Sequence, residues 1–300
     1  MTDWIREPNE YERRAETEAP RRPVYIAPPP RRAAAPAPVR PSPRAAARER
    51  KRRRFRRAMG WMLVLAVLVG GGAALLRGEP RARVTVAAYA LAHGYDRSEY
   101  PEELVALLAR NPETRRFVLD YPAEHGRTHG ISLPSGGESV PLYLQWDERW
   151  GYEGYAGGMM ALTGCGPCCL AMAASWLTGD MGFDPLWVAR WSEAQGYAVP
   201  GEGTAWALFG EGAEKLGLDA VEIGADETRA ADNLAAGNLI VCVMGPGDFT
   251  TEGHFILLTD YEDGYVSVRD PNSRENSEKR WEFSAISGQM RALWVLRRGS

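Results

Sequence analysis

The sequence predicts an α+β fold, with helical patterns first and antiparallel strands afterwards. The stretch from Cys168 to Leu177 is apolar and helix-tolerant. Beyond it the period changes. Leu239–Val243, His254–Leu258, Tyr265–Arg269 and Ala292–Leu296 read as strands. Asp263-Gly264 between the second and third of these is a hairpin turn pair.

Residues 1–57 precede any domain material. They are rich in Pro, Ala and Arg, poor in core-forming side chains, and end in a dense Arg/Lys cluster, so they read as a disordered basic head. The net charge of −3 therefore conceals a basic head and an acidic remainder. Such a head suits either a nucleic-acid arm or the cytoplasmic flank of a membrane anchor. The next segment decides for the anchor. Residues 58–76, Ala58 to Leu76, carry no charge over 19 positions, enough at helical rise to cross a bilayer core. The basic cluster lies before this run, which predicts an N-terminus in the cytosol and a C-terminal domain outside the cell. A cleavable signal peptide is the competing reading, but no small-residue cleavage site closely follows the run.

Residues 77–139 read as a partly helical stalk that packs on the following domain. Pro101-Glu102-Glu103 starts an amphipathic helix with Leu104, Leu107 and Leu108 on one face, and Asn111-Pro112-Glu113 offers a fresh cap. Residues 140–300 read as one domain of ordinary size. Pro167 suits the first turn of the cysteine helix and Gly179 its end. Asp184 caps a second helix beginning at Pro185, Thr204 is expected to cap a third, and Glu227 to Ala236 form a fourth.

Cys165 stands at the mouth of its helix between Gly164 and Gly166. There the positive end of the helix dipole favours the thiolate, the nucleophilic form. Of the four histidines, His254 alone opens an apolar strand beside a glycine-rich loop, where it can act as general base. Asp270 follows the next strand and can hold the other ring nitrogen, with Asn272 in reserve. Cys168 and Cys169 read as helix packing residues and Cys242 as core. This order of cysteine, histidine and carboxylate is that of a papain-like hydrolase.

The run Gln145-Trp146-Asp147-Glu148-Arg149-Trp150-Gly151-Tyr152, then Gly164-Cys165-Gly166-Pro167, Gly253-His254-Phe255 and Asp270-Pro271-Asn272, resembles the bacteriocin-processing, double-glycine-leader peptidases. The resemblance is closest to their stand-alone relatives without a transporter, and it extends over roughly Val140 to Ser300. It implies a papain-like cysteine peptidase with Cys165 as nucleophile, His254 as base, Asp270 as orienter and Gln145 in the oxyanion hole. Gln145 lies 20 positions before Cys165, a longer interval than in the transporter-linked enzymes. No phosphate-binding Gly-x-x-x-x-Gly-Lys-Ser/Thr pattern occurs. The absence of eukaryotic-style features together with the resemblance suggests a Gram-positive-type bacterial surface enzyme acting on a peptide, a protein or a cell-wall amide, and no cofactor, metal or nucleic-acid partner is expected.

Three other readings use the same residues. Cys165-Gly166-Pro167-Cys168 is identical to the thioredoxin tetrapeptide and would suit a thiol–disulfide oxidoreductase, but no β-branched apolar strand leads into it. Cys165, Cys168, Cys242 and His254 could be named as zinc ligands, but their spacing matches no usual pattern. A hydrolase relic kept for binding is the third.

Overall fold

The computed structural model describes residues 77–133 and 137–299, together with Lys51, Phe55 and Met59. Residues 77–133 and 137–299 fall in one compact unit. The apolar run of residues 58–76 lies outside the described residues apart from Met59. Among the described residues, no helix is long and apolar enough to cross a membrane.

Two upstream helices come first, α1 (Glu79–His93) and α2 (Glu102–Arg110). Acidic side chains in the first turn of α2 and Arg110 in its last complement the helix dipole. Asn111 then caps a 3₁₀ turn, accepting from the Glu113 N–H. Val86, Leu104, Leu108, Phe117 and Val118 form a small core that also takes in Ala161, with Trp146, Tyr152 and Leu162 packed against it. The helices of this upstream segment thus share a core with the residues just before Cys165.

Helix α3 (Cys165–Thr178) ends at Gly179, whose φ of 77° closes it in the left-handed conformation. Helix α4 (Pro185–Ala194) has the expected Asp184 cap, accepting from the Trp187 N–H at 2.9 Å. The helix expected after Thr204 does not form as read. Gly203 has a φ of 96°, and Thr204 lies in a short ladder with its hydroxyl bonded to Tyr155. A 3₁₀ turn at Trp206–Phe209 and a short helix at Glu211–Lys215 take its place.

The sheet holds β1 (Leu218–Ile223), β2 (Leu239–Met244), β3 (His254–Glu262), β4 (Tyr265–Arg269), β5 (Arg280–Glu282) and β6 (Met290–Arg298). Its spatial order is β1-β6-β2-β3-β4-β5 and every pairing is antiparallel. The Asp263-Gly264 turn joins β3 to β4 with both residues at positive φ, the geometry a two-residue hairpin loop requires. The period-2 alternation of strands sorts the side chains onto two faces. Val241, Val243, Leu257, Trp294 and Leu296 pack with α3, whose residues from Cys168 to Ala174 are fully buried. Ile240, Cys242, Met244, Ile256 and Leu258 face the opposite side, covered by Ala230 and Leu234 of α5 (Glu227–Ala235) and by Phe283 and Ile286. Helix α3 is thereby held over the sheet, and its first residue ends up beside the start of β3.

Candidate active site

Cys165 is the first residue of α3 and is followed directly by Gly166. A glycine is needed at 166: a Cβ there would run into the side chain of Thr204, which is fixed by its bond to Tyr155. The close approach of this ladder to the helix mouth thus sets the position of Cys165.

His254 opens β3, paired with Met244 on β2, and is buried. Its Nε2 lies 2.7 Å from Asp270 Oδ1. With Nε2 committed to the carboxylate, Nδ1 is the nitrogen left to exchange a proton with the Cys165 sulfur. Burial pushes the Cys165 thiol up. The hydrogen bond and charge of His254, then the N–H groups of Phe255 and Gly166, bring it below its ordinary value. Burial lowers the imidazole pKa, but the charge and hydrogen bond of Asp270, with a smaller part from Cys165, carry it up to about 10. For Asp270 burial opposes ionisation, while His254, Asn276 and the Asn272 N–H favour it and hold the carboxyl below its usual range. The three groups form a polarised chain from carboxylate to imidazole to sulfur.

Asp270 is buried and bonded on every side. Its Oδ2 accepts from Asn276 Nδ2 at 2.8 Å, its Oδ1 also accepts from the Asn272 N–H at 2.8 Å, and its own N–H reaches Ser277 Oγ at 2.9 Å. Asn272, held in reserve by the sequence, does not take the orienting position. Its side-chain oxygen accepts from Asn111, and its carbonyl accepts from both Asn111 Nδ2 and Trp146 Nε1.

Gln145 is buried and lines the same cleft as Cys165 and His254. Its backbone N–H donates to Pro271 O at 2.7 Å, tying it to the Asp270 loop. Its Nε2 donates to Ala161 O at 2.7 Å, a bond that sets which end of the amide carries nitrogen. One of the two amide hydrogens is thereby used and the other remains available.

All four predicted site residues, Cys165, His254, Asp270 and Gln145, come together. Asn111, Glu113, Trp146 and Asn276 support them and were not singled out from sequence for this purpose. The Glu113 carboxylate accepts from Ser273 Oγ at 2.7 Å and from the Arg274 N–H at 2.9 Å, bracing the loop after Asp270. Only the Gln145-Trp146 adjacency and the Asn111-Pro112-Glu113 cap signal could have pointed to any of these.

The other three cysteines do not join the site. Cys168 and Cys169 are fully buried, and burial pushes their thiols well up. Cys242 belongs to the opposite face of the sheet from Cys165, which dissolves the proposed four-ligand zinc set. Among the described residues, no cluster of His, Cys, Asp and Glu could hold a metal ion. The element leading into Cys165-Gly166-Pro167-Cys168 is a short helix, Met160–Thr163, where a thioredoxin-type site needs a strand.

No curated protein matches the chain. Among solved structures, the chain is similar to the peptidase domain of Streptococcus ComA, a bi-functional ABC transporter of a quorum-sensing pathway. Identity is 21% and the TM-score 0.36, over 45% of this chain and 91% of that one. It is also similar to a C39-like peptidase from Bacillus anthracis, with 17% identity and a TM-score of 0.33, over 54% of this chain and 96% of that one. The model of the Peptidase_C39 like family matches residues 138–299, more than half of the 300 residues. The chain belongs to this family and is a cysteine peptidase.

Proposed function

We propose that the protein is a single-pass membrane enzyme whose outer domain cleaves amide bonds in peptides or proteins through Cys165, His254 and Asp270. The observation that carries the chemistry is the buried His254–Asp270 pair at 2.7 Å beside a thiol of lowered pKa. The Cys165 thiolate attacks the scissile carbonyl carbon, forming the C–S bond as the carbonyl electrons move to oxygen. The spare N–H of Gln145 and the Cys165 backbone N–H receive that oxyanion. Collapse expels the amine, which takes its proton from His254, and leaves a thioester. His254 then takes a proton from water, hydroxide displaces the sulfur, and the carboxylate product departs.

The anchoring rests on sequence. The basic head of residues 1–57 and the uncharged residues 58–76 support a cytoplasmic N-terminus and an extracellular domain at 140–300, with 77–139 between them. The chemistry is tested by offering peptide and muropeptide libraries to the protein under reducing conditions. Cleavage should vanish in Cys165→Ser and persist in Cys168→Ser. Equal loss in both, with insulin reduction and no amide cleavage by the parent, would mean an oxidoreductase. Protease added to intact cells should degrade the C-terminal domain and spare the head, and a protected C-terminal domain would overturn the topology.

A further inference from the structure

The cleft beside Cys165, about 460 Å³ in volume, has walls of contrasting origin. One is the loop from Gly247 to Gly253, between β2 and β3. The other comes from α2, which supplies Leu107 and Arg110 and lies wholly outside the residues 138–299 that match the family. Leu107 is buried in the upstream core, whereas Arg110 is exposed and, among the described residues, has neither an ion pair nor a side-chain hydrogen bond.

Several nearby arginines are paired, and Arg115, which like Arg110 has no ion pair among the described residues, does not line the cleft. Arg97 and Arg83 both pair with Glu102, and Arg116 pairs with Asp120 and Glu148. A lone guanidinium at the rim of a reaction cleft keeps its fork of donors for whatever enters. The mount is also fixed, because the next residue, Asn111, bonds to Asn272 and Glu113 bonds to Ser273. Arg110 is thus presented at a set position relative to the Asp270 loop. The opposite loop carries Asp248 and Glu252, so an acidic substrate group is steered to the Arg110 wall and away from the other.

We propose that Arg110 is a specificity-determining residue that selects substrates bearing a carboxylate near the scissile bond. The proposal rests on the peptidase reading above. The carboxylate can belong to an Asp or Glu side chain or to a free C-terminus, and the two sources are separable.

The test uses the full chain and matched peptides with Glu or Gln at each position flanking the cleaved bond. Each peptide is made as the C-terminal acid and as the amide, and kcat/KM is measured. The expected result is an acid-over-neutral ratio of about five- to tenfold, the scale of a partly exposed charge-assisted pair. The ratio should be expressed mainly in KM, fall with added salt, be partly kept in Arg110→Lys, disappear in Arg110→Ala and invert in Arg110→Glu. A preference confined to Glu over Gln assigns the side chain, and one confined to acid over amide assigns the terminus. Cys165-dependent cleavage with a ratio near one, or a ratio unchanged in Arg110→Glu, overturns this inference alone. Absence of any Cys165-dependent cleavage overturns the peptidase reading and this inference with it.

Discussion

Asn111 reaches across 161 positions of chain to donate its side-chain amide to the carbonyl oxygen of Asn272, at 2.5 Å. The upstream helices are thereby stitched to the loop that carries Asp270. Trp146 Nε1 donates to the same carbonyl at 2.9 Å, so that acceptor has two independent donors.

This redundancy makes a non-additive stability pattern the expected outcome. Asn111→Ala and Trp146→Phe should each cost about 1 kcal/mol, since the carbonyl keeps a donor either way. The double variant leaves it unpaired and should lose about 1–2 kcal/mol beyond the sum. Denaturant titration of the four proteins checks this, and strict additivity would show the two bonds to be unrelated.

On the proposed mechanism, Asp270 should govern the alkaline limb of the rate profile. The thiolate–imidazolium pair exists above the lowered Cys165 pKa and below the His254 pKa of about 10. Activity should therefore rise from below the ordinary thiol range and fall as the pH passes about 10. The same sign applies to stability. The protonated imidazole contributes fully below its unfolded value of 6.5, and that contribution is lost as pH rises through about 10. Asp270→Asn removes the largest raising influence on the imidazole, so the alkaline limb should move toward neutral pH. A profile of kcat/KM against pH for both proteins decides, and an unmoved limb would falsify the orienting role.

Gly166 is the tightest point at the helix mouth. In Gly166→Ala the new methyl meets Thr204, so either the ladder or the start of α3 must shift. Overpacking of this kind costs about 1–3 kcal/mol. Because Cys165 is the adjacent residue, turnover should fall further than stability does. Gly166→Ala combined with Thr204→Gly, which removes the hydroxyl, Cβ and methyl carbon that the new methyl would meet, should recover part of the turnover. Loss of stability with no change in turnover would show the shift to be absorbed by the ladder.

Much of the site was legible because local chemistry announced it. Cys165 sits between glycines before a proline, Gly179 closes its helix, and Asp263-Gly264 dictates a hairpin whose strands must flank His254 and Asp270. Strand β1 was not legible. Leu218-Asp219-Ala220-Val221-Glu222-Ile223 buries only its two ends, and it exists by pairing with the distant β6. Thr204 illustrates the opposite failure: a good local cap was overridden by its bond to Tyr155 and by the positive φ of Gly203. Asn111 and Glu113 could be read as a local cap but not as site residues, because the Asn272 carbonyl and the Ser273 hydroxyl they bond lie 161 and 160 positions away; Asn276 is only 6 positions from Asp270, but no sequence pattern marks that pairing.

The burial of Cys168, Cys169 and Cys242 fixes how many thiols the native protein presents to a reagent. Of four cysteines, Cys165 alone is partly exposed. A small alkylating agent therefore counts folded, competent sites one for one, and the stoichiometry climbs to four only as the core opens. The chain carries its own gauge of active-site concentration and of unfolding, read from a single mass spectrum.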